Sequence, residues 1–397
     1  MYRSRLRMVV MRWSGDCHRI VFRDSHPCDN ELTNGRRSRD TSITATGYRW
    51  VMSGTLFRQL ANLIGSASIL LIGWSAATAA YAQDTPLISG GVAFFSRTDG
   101  GNTTYMPLIE PLIAAPIGNR FLIESRAAIL ETFSPTDNGY DHVHFAGFTY
   151  LQGDFIVSPH ITVVGGSFLL PFNTYNERLS PVWIGNFQDG PLIASIGALS
   201  SGLGLGGMLR GSAVSHQKYS IDYAGWFSAR SGNEQFNAPR SFGGRTSLYL
   251  PDRRLEVGVS YDRLLQGTRE NFYGAHVWWE PAGTAFRLRS EYARGHHAQG
   301  YWVEADYRTQ AFGGLNSWIG RIEPVLRMQQ TFRRDTVVSD GVPLVNTQRV
   351  DFGIDYNLPH NTRILTSYSR QFSSAGNTNI WETGIVYRFL FPTWKGK

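Results

Sequence analysis

From residue 83 to the C-terminus, apolar residues recur at every second position, which is the pattern of a β-strand with one apolar and one polar face. Leu255, Val257 and Val259 share one face of such a strand, and the residues between them are charged or small. The same alternation is present in residues 301–308 and 349–356. The pattern predicts an all-β chain.

Two architectures explain the alternation: a soluble sandwich with its apolar face inward, and a membrane barrel with its apolar face toward lipid. The segments are about 10 to 15 residues long, whereas strands of soluble proteins average about 5 to 6 residues and a tilted strand that spans a bilayer needs about 9 to 11. Their polar face often carries two or three charges, more than one side of a compact sandwich usually needs. The pattern therefore favours a transmembrane antiparallel β-barrel.

Sixteen strands follow from the alternation, and an even number is what bacterial outer-membrane barrels require. The strands are predicted at residues 87–97, 104–115, 119–131, 142–156, 160–171, 204–215, 218–230, 241–250, 254–266, 271–280, 284–295, 299–311, 318–332, 346–357, 361–372 and 378–391. Connections after odd strands average about 10 residues and those after even strands about 3, as expected if long loops face outside and tight turns face the periplasm. We therefore expect both termini of the barrel on the periplasmic side.

The segment before the barrel has the features of an export signal. Residues 60–80 form an apolar stretch that follows Arg58 and ends in Ala80-Tyr81-Ala82, which predicts a signal peptide over residues 52–82 with cleavage before Gln83. An N-terminal membrane anchor is the alternative. We expect translation to begin at Met52, so that residues 1–51 are an incorrectly assigned or unstructured extension and residues 83–397 form the outer-membrane barrel.

Composition changes the picture in two respects. The net charge of +7 suggests a nucleic-acid partner, but residues 1–82 hold 11 Arg against 5 acidic residues, and the rest of the chain carries only +1. We therefore expect no nucleic-acid partner. Both cysteines, Cys17 and Cys28, also precede residue 82, which excludes thiol chemistry in the barrel.

A stretch near the end of the fifth strand resembles a known family. Residues 165–193 contain Gly166, Phe168, Pro171 and Phe172, and this resembles the phosphate-selective porin O and P family, in which a strand ending Gly-x-Phe-x-x-Pro-Phe runs into a long third loop. The resemblance implies a bacterial outer-membrane porin whose third external loop folds into the lumen. Asn173 stands where the family commonly has Gly, and the chain from residue 83 has only three lysines, so phosphate selectivity is not carried over.

The third connection, residues 172–203, supplies the candidate constriction of the pore: Glu177, Arg178 and Asp189. Rings of charged side chains in a pore determine which ions pass. The polar strand faces supply the candidate lumen charges, which are Arg126, Arg245, Arg287, Arg289, Arg308, Arg321, Arg327, Arg349, Glu256, Glu291, Glu304 and Asp306. Their near balance predicts a mixed lumen, and neighbouring pairs that only neutralise one another are the alternative.

The expected function is passive diffusion of small hydrophilic solutes, anions or sugars among them, because a sixteen-stranded barrel is wide enough for an aqueous channel. A receptor or adhesin barrel without an open pore is the alternative. Two histidine pairs, His142 with His144 and His296 with His297, have no third ligand in sequence, so we expect no metal site, cofactor or enzymatic activity.

The expected partners follow from this function. They are outer-membrane lipid, the transported solutes and the barrel assembly machinery, with a homotrimer as the candidate assembly. The final strand resembles the closing strand of outer-membrane proteins, and Phe389 is its expected terminal aromatic, which the assembly machinery reads.

Overall fold

A computed structural model describes residues 86–392, apart from residues 196–201, 234, 268, 315 and 336–339. The predicted extension over residues 1–51 and the predicted signal peptide over residues 52–82 lie outside the described residues. No helix in the described part of the chain is long and apolar enough to cross a membrane.

Sixteen β-strands form one closed antiparallel barrel in which each strand pairs with its neighbours in sequence and β1 pairs with β16. Their bounds are β1 Leu87–Asp99, β2 Asn102–Ile117, β3 Phe121–Thr136, β4 Gly139–Ser158, β5 Ile161–Leu169, β6 Leu203–His216, β7 Tyr219–Ser228, β8 Ser241–Leu250, β9 Leu255–Leu264, β10 Asn271–Trp279, β11 Phe286–Arg294, β12 Ala298–Tyr307, β13 Ile322–Arg333, β14 Thr347–Leu358, β15 Thr362–Ser373 and β16 Thr378–Pro392. Every predicted strand is present, and the prediction of a sixteen-stranded barrel is confirmed.

The two faces of each strand differ as the alternation predicts. In β14, Asp351 points into the barrel and is 0% exposed, whereas the adjacent Phe352 points outward and is 51% exposed. Aromatic residues, among them Trp279, Tyr292 and Tyr387, are exposed on the outer face. The barrel thus presents an apolar exterior and a charged interior.

The ends of the barrel are named here by the chain termini. Leu87 pairs with Pro392, so the start of β1 and the end of β16 share one end, which we call the terminal end. Tight turns reverse the chain there: His360 and Asn361 both have positive φ, 60° and 58°, as in the turns that match the twist of a hairpin. The opposite end, which carries the connection between β5 and β6, is called the loop end.

One connection differs from the sequence prediction. The connection between β12 and β13 is a long one at the terminal end, residues 308–321, and it contains 3₁₀ turns at Thr309–Phe312 and Ile319–Arg321. Arg308 and Arg321 therefore lie in this connection and not within the strands predicted over 299–311 and 318–332. The predicted contrast between long and tight connections fails at this place, because alternating residues at the edges of a connection cannot be told from strand by periodicity alone.

The second strand tolerates its two prolines. β2 runs through Pro107 and Pro111, and its pairing with β3 is interrupted around them, resuming at Leu108 and Leu112. A proline has no N–H to donate to a neighbouring strand, so such a local gap in the hydrogen-bond ladder is expected. The strand keeps its place because its other side pairs with β1 without a break.

Candidate functional site

The connection between β5 and β6 lies inside the barrel, and we call its described residues, 170–195 and 202, the lumen loop. Its two ends are held together, since Leu170 N–H donates to the Gly202 carbonyl at 2.9 Å. The Asn176 side chain donates to both the Leu170 and the Gly202 carbonyl oxygens, at 3.1 and 2.8 Å. The two chain segments by which the loop leaves and rejoins the wall are therefore hydrogen-bonded to each other.

Asn173 sets the direction in which the chain enters the lumen. Its φ is +56°, a left-handed conformation that Gly and Asn adopt more readily than other residues. Its N–H donates to Ser260 Oγ of β9 at 3.0 Å, and its side-chain amide donates to the Tyr292 carbonyl of β11 at 3.1 Å. Asn173 is thus compatible with the left-handed backbone required at this point.

A buried carboxylate fixes the first turn of the loop. Glu291 of β11 accepts hydrogen bonds at one oxygen from Thr174 N–H, Thr174 Oγ1 and Tyr175 N–H, each at 2.7 Å. Its other oxygen accepts a hydrogen bond from the Trp302 indole at 3.2 Å. The loop then forms a π-helical turn at Tyr175–Leu179. Glu291 is therefore a structural anchor of the lumen loop, and it does not line a free passage.

Two of the candidate constriction residues lie on this turn. Arg178 makes two hydrogen bonds with Glu256 of β9, at 2.7 and 3.1 Å, and Glu177 accepts one from Arg245 of β8 at 2.7 Å. The Arg178 side chain is 37% exposed, so solvent reaches this side chain inside the barrel. Arg178 is thus a constriction candidate that is both paired to the wall and in contact with solvent.

The third candidate, Asp189, lies against another part of the wall. Its carboxylate pairs with Arg97 of β1 and with Arg349 of β14, the latter at 3.1 Å, and its carbonyl accepts a hydrogen bond from Arg327 of β13 at 3.0 Å. Burial opposes ionisation of this carboxyl, but Arg349 and Arg97 outweigh it and hold the pKa of Asp189 below its usual value. The geometry makes Asp189 an anchor between loop and wall.

Half of the predicted lumen charges, together with Asp351, form a buried ion-pair network on β11 to β14, which we call the seam. Arg287 pairs with Asp306 at 2.7 Å, Arg289 pairs with Glu304, and Asp351 receives both Arg327 at 2.9 Å and Arg349 at 2.5 Å. The loop joins the seam through Asn186, whose amide donates to Glu304 and Asp306 at 3.2 Å. In the seam, therefore, oppositely charged neighbours neutralise one another, which is the alternative that the sequence left open.

Other predicted lumen charges lie on the remaining wall. Arg126 of β3 is buried and donates to Ser180 of the lumen loop at 3.0 Å. Val182 N–H of the loop donates to Glu110 of β2 at 2.9 Å. The adjacent Trp183 and Val182 side chains pack against an apolar patch of the inner wall that includes Phe95. The loop is therefore held on several sides of the lumen.

Several charged residues of the inner wall are absent from the sequence-based set, among them Arg97, Arg210 and Asp154. Arg97 binds Asp189 and Glu382, while Arg210 of β6 pairs with Asp154 of β4. The Arg210 side chain is 36% exposed, close to the value for Arg178. Arg97 and Asp154 follow the alternation of their strands, so extending that pattern would have found them. Arg210 follows a run of glycines, which weakens the alternation of apolar and polar residues from which its orientation could be predicted.

The terminal-end mouth of the lumen is basic. A cavity of about 560 Å³ opens there, next to Trp183 of the lumen loop. Its charged lining, within the described part of the chain, comprises the following residues: Arg308, Arg321, Arg363, Arg388 and the single carboxylate Glu323. Arg308 and Arg321, although outside the strands, thus still contribute to the pore mouth.

Phe389, the expected terminal aromatic, lies in β16 and stacks on Phe391 with ring centroids 5.4 Å apart. The strand continues to Pro392, so two aromatic rings of the same outer face lie near its end. The geometry places Phe389 at the terminal end of the barrel and leaves its role in assembly as a prediction.

Solved structures share this architecture. OmpF of Salmonella typhi, in a complex with daunomycin, matches with a TM-score of 0.54 and 10% identity over 78% of this chain and 99% of its own. An anion-selective porin from Comamonas acidovorans matches with a TM-score of 0.51 and 11% identity over 77% of this chain and 100% of its own. The chain has the fold of outer-membrane porins.

A loop-deletion variant of OmpT from Vibrio cholerae also matches this fold, with a TM-score of 0.50 and 9% identity over 77% of this chain and 100% of its own. No protein-family model matches the chain, and comparison with curated proteins gives no match. The likeness therefore concerns the porin fold, and the phosphate-selective family is not confirmed.

Proposed function

We propose that the chain is an outer-membrane porin that allows small hydrophilic solutes to diffuse through its lumen. The single observation that carries this is the exposure of Arg178, a charged side chain on a loop inside the barrel that solvent nevertheless reaches. The porin fold and its apolar exterior support the membrane location, since lipid-facing strands need an outer apolar band. The predicted export signal fits the same location.

The position of the lumen loop favours a narrow pore and argues against a wide one. Asp189 and Asn186 fix the loop to the seam. The side chains of Arg178 on the loop and Arg210 on β6 remain half-exposed. We infer that solutes pass beside Arg178 and that the seam side is closed. Glu177 and Arg178 then remain constriction candidates, and Asp189 acts by holding the loop in place.

The charge distribution favours small anions among these solutes. Four arginines face one carboxylate at the terminal-end mouth, and such an excess raises the local concentration of anions. Guanidinium groups hold their charge at any physiological pH. The preference is expected to be modest and to weaken at high salt, because screening shortens the range of the field.

The receptor or adhesin alternative is favoured by one observation. The lumen loop touches inner-wall residues of strands on opposite sides of the barrel, among them Arg97 of β1 and Arg245 of β8. A loop held in this way could close the lumen. Only transport distinguishes the two functions.

The decisive experiment is planar-bilayer conductance of the refolded chain from residue 83 onward. We expect an open channel with a mild anion preference, and Arg178→Ala should reduce that preference by about twofold because one guanidinium leaves the passage. Arg294→Ala, which removes an arginine from the outer surface of β11, is the matched control and should leave ion preference unchanged. A barrel that conducts no current would favour the receptor or adhesin function.

A further inference from the structure

Histidines of the loop end gain a third potential ligand from the tertiary structure. His296 and His297 occupy the short connection between β11 and β12, and Asp335 follows β13. One nitrogen of each histidine and a carboxylate oxygen of Asp335 lie within 4.8 Å of one another. We call these three residues the histidine cluster.

The contacts of His297 resemble those of a metal-ligating histidine. Its Nδ1 lies 2.7 Å from Asp335 Oδ1, and its Nε2 lies 3.0 Å from Glu270 Oε1. A carboxylate behind the second ring nitrogen fixes the tautomer and the ring orientation, as is usual for histidines that bind zinc. An ion next to Asp335 would replace the proton that Nδ1 shares with this carboxylate, and Nε2 would keep its hydrogen bond to Glu270.

The neighbouring arginines decide how strong such a site can be. Arg333 donates to Asp340 at 2.6 Å, and Arg334 donates to Gln299 at 3.0 Å. Arg334 also lines a cavity of about 280 Å³ together with Arg269, Arg294, His296 and the carboxylate Glu270. The positive charge of the arginines opposes a cation, so affinity in the micromolar range is expected and nanomolar affinity is not.

We propose that the histidine cluster binds one divalent transition-metal ion of the kind that prefers imidazole ligands, such as Zn²⁺. His296, His297 and Asp335 supply three ligands, water supplies the fourth, and Glu270 supports His297. The ion joins two connections of the loop end, those that contain the histidine pair and Asp335, and Glu270 of a third connection supports it through His297. Sequence alone did not suggest the site, because Asp335 lies 38 positions from His297.

The test is calorimetric titration of Zn²⁺ into the refolded, chelator-treated chain from residue 83 onward. We expect saturable binding of one Zn²⁺ per chain. His296→Ala, His297→Ala and Asp335→Asn should each weaken binding at least tenfold, and Glu270→Gln should weaken it by about 10- to 100-fold. Each variant is first checked for barrel formation by circular dichroism and by its mobility shift on heating in SDS.

His142→Ala is the matched control. His142 lies at the same end of the barrel but contacts Glu131, outside the histidine cluster. This variant should bind Zn²⁺ as tightly as the unaltered chain. The proposal is overturned if no saturable binding is seen, or if the cluster variants bind Zn²⁺ normally. A parallel titration with inorganic phosphate adds a third contrary result: binding of phosphate in place of Zn²⁺, lost in Arg294→Ala.

Discussion

Arg178 of the lumen loop and Glu256 of β9 face each other with two parallel hydrogen bonds, 2.7 and 3.1 Å long, inside the barrel. Glu256 also lies 3.3 Å from His276 Nε2 of β10. The pair joins the part of the loop that solvent reaches to a strand of the wall. Its bidentate geometry fixes the Arg178 guanidinium at one place in the lumen.

Removing the carboxylate of this pair should change ion preference in a defined direction. In Glu256→Gln the Arg178 charge loses its counter-charge, so we expect the ratio of chloride to potassium permeability to rise by about twofold. Reversal potentials across a salt gradient measure it. Asp252→Asn, in a turn at the terminal end, is the control that changes net charge equally. An unchanged ratio in Glu256→Gln would place the pair away from the ion path.

The Asp189 carboxylate should stabilise the loop in a pH-dependent manner. Its pKa is lowered in the folded protein, so its contribution is present above the pKa of the unfolded state and disappears as pH falls through the folded value. Asp189→Asn should therefore lose about 1 to 3 kcal/mol of loop stability at pH 7. Below the folded pKa the variant and the unaltered chain should become alike.

Hydrogen exchange of residues 172–195, measured at pH 7 and at steps of decreasing pH, follows this difference. Asp99→Asn is a suitable control, because Asp99 lies at the loop end of β1 and pairs with Arg97 at 3.7 Å without contacting the loop. Equal protection of the two chains at pH 7 would contradict the anchoring role of Asp189.

Glu291 is expected to be the strongest single anchor of the loop. Glu291→Gln replaces a charged acceptor of three short hydrogen bonds by a neutral amide, and hydrogen bonds to charged groups contribute about 1.5 to 3 kcal/mol. We expect trypsin to cleave after Arg178 much faster in this variant, while the barrel strands stay protected. Thr174→Val, which removes only one of the three donors, should give an intermediate rate.

The left-handed conformation of Asn173 predicts a specific order of stabilities. Asn173→Ala places a Cβ in a disfavoured region and should cost about 1 to 2 kcal/mol through the backbone alone. Asn173→Gly removes the side-chain hydrogen bond to Tyr292 but keeps the backbone relaxed, so it should be the milder change. Loop protection measured by hydrogen exchange compares them. The reverse order would show that the side-chain hydrogen bond dominates.

The closing strand offers a test of assembly. Phe389→Ser should sharply reduce the amount of barrel found in the outer membrane, whereas Phe391→Ser should not, if Phe389 is the aromatic residue that the assembly machinery reads. Quantitative blotting of outer-membrane fractions measures both. A larger loss for Phe391→Ser would shift that role to the later residue of the stacked pair.

The location of the strands and the orientation of their faces were predictable because a strand repeats every two residues, and a short window of sequence contains the whole signal. Asp351 and Phe352 illustrate this, since neighbours in sequence have opposite exposures. The connection over residues 308–321 was predicted too short, because the alternating residues at its two edges cannot be told from strand by periodicity alone.

The candidate site was predictable in part. The long third connection pointed to Glu177, Arg178 and Asp189, and the structure places all three inside the barrel. Their different surroundings were not predictable: Asp189 pairs with Arg349, which lies 160 positions away, while Arg178 stays open to solvent. Such pairings depend on which strands meet across the lumen, and no local pattern contains that information.

The sequence by itself therefore determined the strand pattern, the strand number and the two faces of the wall, because these follow from the local geometry of the backbone. The tertiary structure decided which charges neutralise one another in the seam, which guanidinium faces solvent and which aspartate completes the histidine cluster. The physical reason is that ion pairs and metal sites depend on distances of a few ångströms between residues far apart in the chain. Closure of the barrel is what sets those distances.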